Sequence, residues 1–191
     1  MTKLILCSQS ARRRQILTDL NLKFELETPN VNESELAEEK PLDYLKRISK
    51  LKVKSIFNKR LSKEEILLSS DTIVVSENSI LHKPINLENA IEILTLLSGK
   101  AHYVHSSFYL FQSNTIEIYA YDSTKVHFRA WNNDEIRNYV LESQPFDKAG
   151  SYGIQDKTGP VEKIEGSYTN VLGFPIRKFM QNIEKWKHFI L

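Results

Sequence analysis

Lys3-Leu-Ile-Leu-Cys-Ser-Gln-Ser-Ala-Arg-Arg-Arg-Gln-Ile-Leu-Thr-Asp-Leu20 passes from an apolar run through a polar turn into a helical pattern. Lys3–Leu6 reads as a short buried strand. Ile16, Leu17 and Leu20 recur at helical spacing and define one apolar face. Between them, Ser8 and Ser10 are able to cap a helix start, where unpaired backbone N–H groups and the positive end of the dipole attract anions. Arg12, Arg13 and Arg14 add guanidinium forks that match phosphate or carboxylate oxygens. Arginines in a first turn oppose the helix dipole, so their placement points to a reason other than helix stability. They read equally as a solvated face, and the turn alone does not decide.

Bulk properties narrow the choice. At 191 residues, the chain is one domain able to bury a sizeable core, or two small lobes that share one. No window approaches the ~20 apolar residues of a membrane helix, and the opening apolar run is too short for a secretory signal. The single Cys7 forms no internal disulfide, which fits a reducing, cytoplasmic setting. A formal charge of +2 lacks the basic excess of a nucleic-acid binder. A bound anion is therefore expected to be small and held at one site.

Working outward, Phe24–Glu27 reads as a second strand closed by Thr28-Pro29, and Asn30–Lys40 as an acidic loop containing Glu33. Pro41 opens a helix to about Phe57. Its stripe is Leu45, Ile48, Ser49, Lys52 and Ile56, so Lys52 either snorkels past the core or points its ammonium into a shared cleft. Ile66–Val75 reads as a central strand interrupted by Asp71. A carboxylate there must be paired, metal-bound or turned to a cleft, unless a bulge or strand end accounts for it.

A turn at Asn78-Ser79 and a return strand at Ile80-Leu81 lead to His82-Lys83-Pro84, which brings Asp71 and Lys83 to one hairpin. Asn86 caps a helix ending at Ser98-Gly99. Tyr103–Phe111 and Thr115–Arg129 form a long hairpin, and Asn132–Glu135 opens a further helix as a capping box. Phe146–Gln155 is a glycine-punctuated loop, Val161–Glu165 a strand, and Gly166–Asn170 a second polar loop. Pro175 starts a terminal helix with Ile176, Phe179, Met180 and Ile183 inward. Two polar loops carrying Tyr, Gln and Gly beside a basic pocket suit a flat heteroaromatic ligand, though ordinary turns would look the same.

Ser8, Ser10, Arg12, Arg13, Lys52 and Lys83 for anions, with Glu33 and Asp71 as carboxylates, meet the needs of phosphoryl transfer. The chain has no P-loop, no HExxH and no Gly-x-Ser-x-Gly elbow. Its five histidines lack zinc-like spacing, His102 and Ser106 do not make a hydrolytic triad, and Cys7 reads as a small buried hydrophobe.

With those residues in place, the chain resembles the Maf family of nucleoside triphosphate pyrophosphatases almost end to end. The resemblance runs through Ser8-Gln-Ser-Ala-Arg-Arg13, Glu33, Lys52, Ser70-Asp-Thr-Ile-Val-Val75 and Lys83-Pro84. It continues through Leu97–His102, Asp147–Gln155 and Ile164–Pro175. It implies a single Maf-like α/β domain over 1–191, elongated and two-lobed around a strongly curved mixed sheet with a central cleft (Maf/ITPase-like). It also implies hydrolysis between the α and β phosphates to a monophosphate and pyrophosphate, with Mg or Mn. By that resemblance Asp71 is the proton acceptor and Glu33 helps hold metal, while Arg12, Arg13, Lys52 and Lys83 clamp phosphates. Thr72, Tyr152 and Gln155 match the members that prefer dTTP and UTP, which makes Arg12, Thr72 and Gln155 the selectivity positions. A homodimer in the cytoplasm, with no nucleic-acid or membrane partner, is implied as well.

The sequence departs from the family pattern at Ala11 (usually Pro), at Ser69-Ser70 (commonly Gly-Ala) and at Ser107 (commonly Gly). The loop Asp156–Pro160 is also short. A Ser before the catalytic Asp is commoner in the subgroup that prefers 7-methyl-GTP, so modified nucleotides stay open as substrates. Two other classes also stay open: a nucleotide-binding regulator of division or septum formation with little catalysis, and a single-strand nucleic-acid binder using the aromatic hairpin.

Overall fold

β1 (Leu4–Cys7) is buried throughout and leads into α1 (Ala11–Asp19), as the opening stretch predicts. Ser10 is the N-cap, its hydroxyl accepting the Arg13 N–H. The computed structural model describes residues 3–60 and 64–190.

The chain is a mixed α/β fold with an open seven-stranded sheet in the order β2-β1-β3-β5-β6-β7, β4 pairing with β3. The strands are β1, β2 (Glu25–Glu27), β3 (Ile66–Ser76), β4 (Ser79–Leu81), β5 (Ala101–Gln112), β6 (Ile116–Phe128) and β7 (Val161–Glu165). The chain divides into two compact units. One holds residues up to Asp71, Ser106–Asp122 and the chain from Gly173; the other holds Thr72–His105 and Ser123–Leu172. Strands β3, β5 and β6 each contribute to both.

In the first unit β1 runs parallel to β2 and β3, with Leu4, Ile5 and Leu6 beside Ile66, Leu67 and Leu68. The paired segments Leu4–Leu6 and Ile66–Leu68 are apolar and buried without a break, as parallel strands covered on both faces are, whereas β2 is the mostly exposed Glu-Leu-Glu. α2 (Pro41–Phe57) has the predicted limits, with Pro at its first turn, and buries the whole predicted stripe. The C-terminal segment differs from expectation. It breaks at Asn182 into α6 (Ile176–Gln181) and α7 (Ile183–Ile190). Asn182 donates its N–H to Phe179 O (3.2 Å) and its side-chain amide to Lys178 O (2.9 Å), local bonds that compete with helix continuation. Met180 is consequently on the surface, while Trp186 is buried and stacks on Phe179 at 4.3 Å.

In the second unit β3 turns into β4 through Glu77 (φ 49°) and Asn78 (φ 66°), Ser76 pairing with Ser79. Both left-handed residues fit a type I′ hairpin one residue earlier than predicted. α3 (Leu87–Leu97) is capped by Asn86, and α4 (Asn133–Ser143) carries the predicted Asn132–Glu135 capping box. Leu94, Leu97, Val104, Val126, Phe128, Ile136 and Val140 form this unit's core. Each such side chain contributes about 1.5–3 kcal/mol on burial. The expected loop at 166–170 contains one helical turn, α5 (Tyr168–Leu172), started by Ser167, whose hydroxyl accepts the Asn170 N–H.

Candidate active site

Alternation along β3 places Ser69 and Asp71 on one face, and helical spacing along α2 places Ser49 and Lys52 on one stripe. The hydroxyl of Ser69 donates to Ser49 O at 2.7 Å, and the hydroxyls of Ser49 and Ser107 lie 2.7 Å apart. The two serines that depart from the family's glycines thus fix helix to strand. In that register Lys52 Nζ donates to Asp71 Oδ1 at 2.6 Å, with both side chains about nine-tenths buried. The same ammonium lies 3.1 Å from Glu33 Oε1, whose side chain is 47% exposed. Lys52 therefore points inward instead of snorkelling. β3 runs unbroken from Ile66 to Ser76, so no strand end explains Asp71.

The turn after β1 lies in the same unit. Ser8 Oγ accepts from the Ser10 N–H (3.2 Å) and from Arg13 Nη1 (3.3 Å), while Arg13 Nε donates to Gly173 O at 2.9 Å. Ser70 donates to that same carbonyl at 3.2 Å. Burial lowers the Arg13 pKa, and the neighbouring Arg12 lowers it further. The carboxylates of Asp71 and Glu33 raise it in opposition. Arginine remains a cation under such shifts. Arg12, Arg13, Lys52, Glu33 and Asp71 thus share one electrostatic neighbourhood, three cations against two carboxylates, a balance suited to a polyanion that brings its own counter-cation.

The remaining predicted residues belong to the second unit. Thr72 follows Asp71 and is half-buried, whereas Lys83 and Gln155 are exposed. What is built around Gln155 is its loop. Tyr152 packs edge-on against Phe128 (4.7 Å) and His102 (5.4 Å). Asp156 Oδ2 accepts from the Tyr139 hydroxyl (2.6 Å) and the Gly153 N–H (3.1 Å), closing a tight turn beneath Gln155.

One other expectation is met. Burial pushes the Cys7 thiol up to about 12, which leaves it a buried hydrophobe and no nucleophile. His102 is buried, and its Nε2 lies 2.8 Å from the Tyr152 hydroxyl.

For a divalent cation the donor chemistry fits. Glu33 and Asp71 present carboxylate oxygens that converge on one ammonium, and hard cations take such oxygens. No group of three or more His, Cys, Asp or Glu able to hold a metal occurs among the described residues. Mg²⁺ characteristically takes one or two carboxylates and completes its shell from phosphates and water.

Sequence reasoning passed over Tyr44, Arg47, Glu39, Tyr139 and Asp156. Only Tyr44 and Arg47, three apart on a helix, left any trace in spacing. Their partners are backbone carbonyls and loop carboxylates brought up by tertiary packing, which have no sequence signature.

The chain is similar to known proteins over nearly its whole length. The Maf-like protein family model matches residues 3–186. A dTTP/UTP pyrophosphatase of Leptospira interrogans is 52% identical over 187 residues, covering 98% of this chain and 97% of its own. One from Thermotoga maritima is 42% identical over 189 residues, covering 97% and 91%. Among solved structures, a nucleoside-triphosphatase / dITP/XTP pyrophosphatase of Mycobacterium abscessus is similar at TM-score 0.44 and 12% identity, covering 66% of this chain and 73% of its own. No helix of the described residues is long and apolar enough to cross a membrane. From its third residue to its last described helix, this chain belongs to the Maf-like protein family.

Proposed function

We propose that this protein hydrolyses dTTP and UTP between the α and β phosphates, releasing the nucleoside monophosphate and pyrophosphate. The observation that carries the reading is the buried Lys52–Asp71 pair in mid-strand, with Glu33 on the same ammonium. Relatives at 42–52% identity named dTTP/UTP pyrophosphatase support the substrate.

Asp71 accepts a proton from the attacking water as its oxygen bonds to the α phosphorus. The bond from that phosphorus to the bridging oxygen breaks, and its electron pair leaves with pyrophosphate. Lys52 holds the Asp71 carboxylate in place and offers its charge to the triphosphate. Arg12 and Arg13, beside the Ser8–Ser10 turn, bind phosphate oxygens, and Lys83 is assigned to the same tail. Glu33 and Asp71 would hold Mg²⁺ or Mn²⁺, which when bound neutralises phosphate charge and polarises the phosphoryl oxygens. Gln155, on its Asp156-pinned turn, and Thr72 read the base, where an amide pairs with adjacent carbonyl and imide groups. A cytoplasmic location, where nucleoside triphosphates are made and used, and a homodimer go with this reading.

The test is a panel of natural and modified triphosphates with Mg²⁺ or Mn²⁺ in ¹⁸O-water, read for pyrophosphate and for label. Label in the monophosphate and preference for dTTP and UTP are expected. Orthophosphate release, or preference for 7-methyl-GTP, would overturn the reaction or the substrate respectively. Asp71→Asn is expected to lose at least about 10³-fold in kcat while retaining triphosphate binding, the scale of a removed general base. Nucleotide binding without turnover in the native protein would favour the regulatory reading.

A further inference from the structure

Glu33 sits in a segment, 28–40, with no strand or helix of its own, yet its carboxylate reaches the Lys52 ammonium. α2 supplies the restraint. The Tyr44 hydroxyl donates to Glu33 O at 2.8 Å, and Arg47 Nη2 donates to Ser34 O at 2.9 Å. Arg47 also grips Glu39 with both oxygens, Nε to Oε1 and Nη2 to Oε2, each at 2.6 Å. Glu39 Oε2 in turn accepts the Leu36 N–H at 3.2 Å. Asn32 Oδ1 tightens the same stretch by accepting the N–H and hydroxyl of Ser34, at 2.9 and 2.7 Å.

A surface ion pair would be worth little. This one is different in three respects. Its side chains are only 23% and 8% exposed, its geometry is bidentate, and the guanidinium spends a further donor on a backbone carbonyl. The guanidinium also lies over the Tyr44 ring, 5.4 Å from its centroid. Lysine could not replace it, since one ammonium cannot serve two carboxylate oxygens and a carbonyl in a planar fork. Tyr44 and Lys52 stand two helical turns apart on one face of α2. One helix therefore fixes the backbone of Glu33 at one point and receives its carboxylate at another.

We propose that Arg47, acting with Glu39 and Tyr44, is a positioning residue that presets Glu33 for the divalent cation and triphosphate, an inference that rests on the function proposed above. The Arg47 guanidinium spends its donors on Glu39 and Ser34. Its effect passes through the loop.

The experiment measures Mn²⁺ affinity by electron paramagnetic resonance, with an α,β-methylene analogue of dTTP present so that nothing turns over. Arg47→Met and Glu39→Gln should each weaken Mn²⁺ about tenfold, the scale of lost outer-shell support for a metal ligand. The double variant should be no weaker than the weaker single, because the two act as one unit. Arg47→Lys should recover only part of the loss. Amide exchange at 33–39 should quicken in step, and kcat at saturating Mn²⁺ should fall less than the affinity does. Glu33→Gln is the reference and should weaken Mn²⁺ at least as much. If Glu33→Gln weakens Mn²⁺ but Arg47→Met merely lowers the melting temperature, the positioning role is wrong and the proposed function stands. If Glu33→Gln leaves Mn²⁺ affinity at the wild-type value, the assignment of Glu33 itself fails, and the latch with it.

Discussion

In the first unit a helix meets a strand through a formal ion pair, Lys52 on Asp71 at 2.6 Å. In the second, strand meets loop through a neutral pair, His102 on Tyr152 at 2.8 Å. Both pairs are buried. A further buried contact of the second unit is neutral as well: the Asn170 amide donates to Val104 O and to the Thr124 hydroxyl, at 2.9 and 3.0 Å. Neutral hydrogen bonds satisfy buried groups at small net cost, whereas burying charge costs several kcal/mol per ion before the partners attract. A scaffold gains nothing from the second choice. The first unit accepts the cost where the proposed chemistry calls for a carboxylate and a cation in contact; in the second, the His102–Tyr152 pair beside the Gln155 turn is neutral, and the Asp156 carboxylate under that turn is only half-buried.

The largest expected effect comes from removing half of the charged pair. Lys52→Met leaves Asp71 buried without its partner and should cost about 3–5 kcal/mol in urea unfolding. Lys52→Met with Asp71→Leu should recover most of that loss, since apolar replacement of a buried pair is commonly neutral or stabilising. Activity should be absent in both. A double variant no more stable than the single would show that the pair stabilises the fold, and the contrast between the units would fall.

The second unit should be most sensitive to shape. Gly150 adopts φ 71°, and a Cβ there would lie 2.9 Å from Val74 Cγ2 and 3.0 Å from Cγ1. Gly150→Ala should cost about 2–5 kcal/mol, combining left-handed strain of about 1–2 with overpacking of about 1–3. Gly99 has a similar φ of 68°, but its nearest atoms, on Ala130, stand at 3.7 Å. Gly99→Ala should therefore show the strain alone, about 1–2 kcal/mol. Equal losses at the two sites would mean that Val74 yields and the packing is looser than drawn.

Both units were legible in sequence where the signal is local. Pro41, the stripe through Lys52 and the apolar run of β3 gave α2 and β3 their limits, while Lys52 on that stripe left open whether it snorkels or points inward. Periodicity could not say which atom the ammonium would meet, because Asp71 and Glu33 come to it through tertiary packing. The turn at Glu77-Asn78 was misplaced by one residue since glutamate at φ 49° carries no turn signal. The break at Asn182 was hidden because it rests on side-chain and backbone bonds within a helical pattern that otherwise continues. Arg47 carried no sequence signal of its role for the same reason: its partners are a loop carboxylate and a carbonyl.

The smallest expected effect tests the neutral pair by titration. Burial, and to a lesser degree the nearby His127, lower the His102 pKa from 6.5 to about 4. The unfolded chain therefore takes up a proton first as pH falls. The stability owed to neutral His102 is complete above pH 6.5 and is lost progressively between 6.5 and 4. At pH 5.5 the loss should be about 1.4 kcal/mol, from the ratio of unfolded to folded protonation. His105 is lowered by burial too and adds to the same window. Glu39 and Glu65 of the first unit, held low mainly by Arg47 and Arg60, lose their contribution only below 4.5. Urea unfolding at intervals from pH 7 to 5 thus reads the histidines almost alone. His102→Gln, whose amide can still bond Tyr152, should flatten most of the slope, and His105→Gln should flatten less. A wild-type curve already flat over that range would mean that His102 can charge within the fold, and the distinction between a charged pair and a neutral one would not hold.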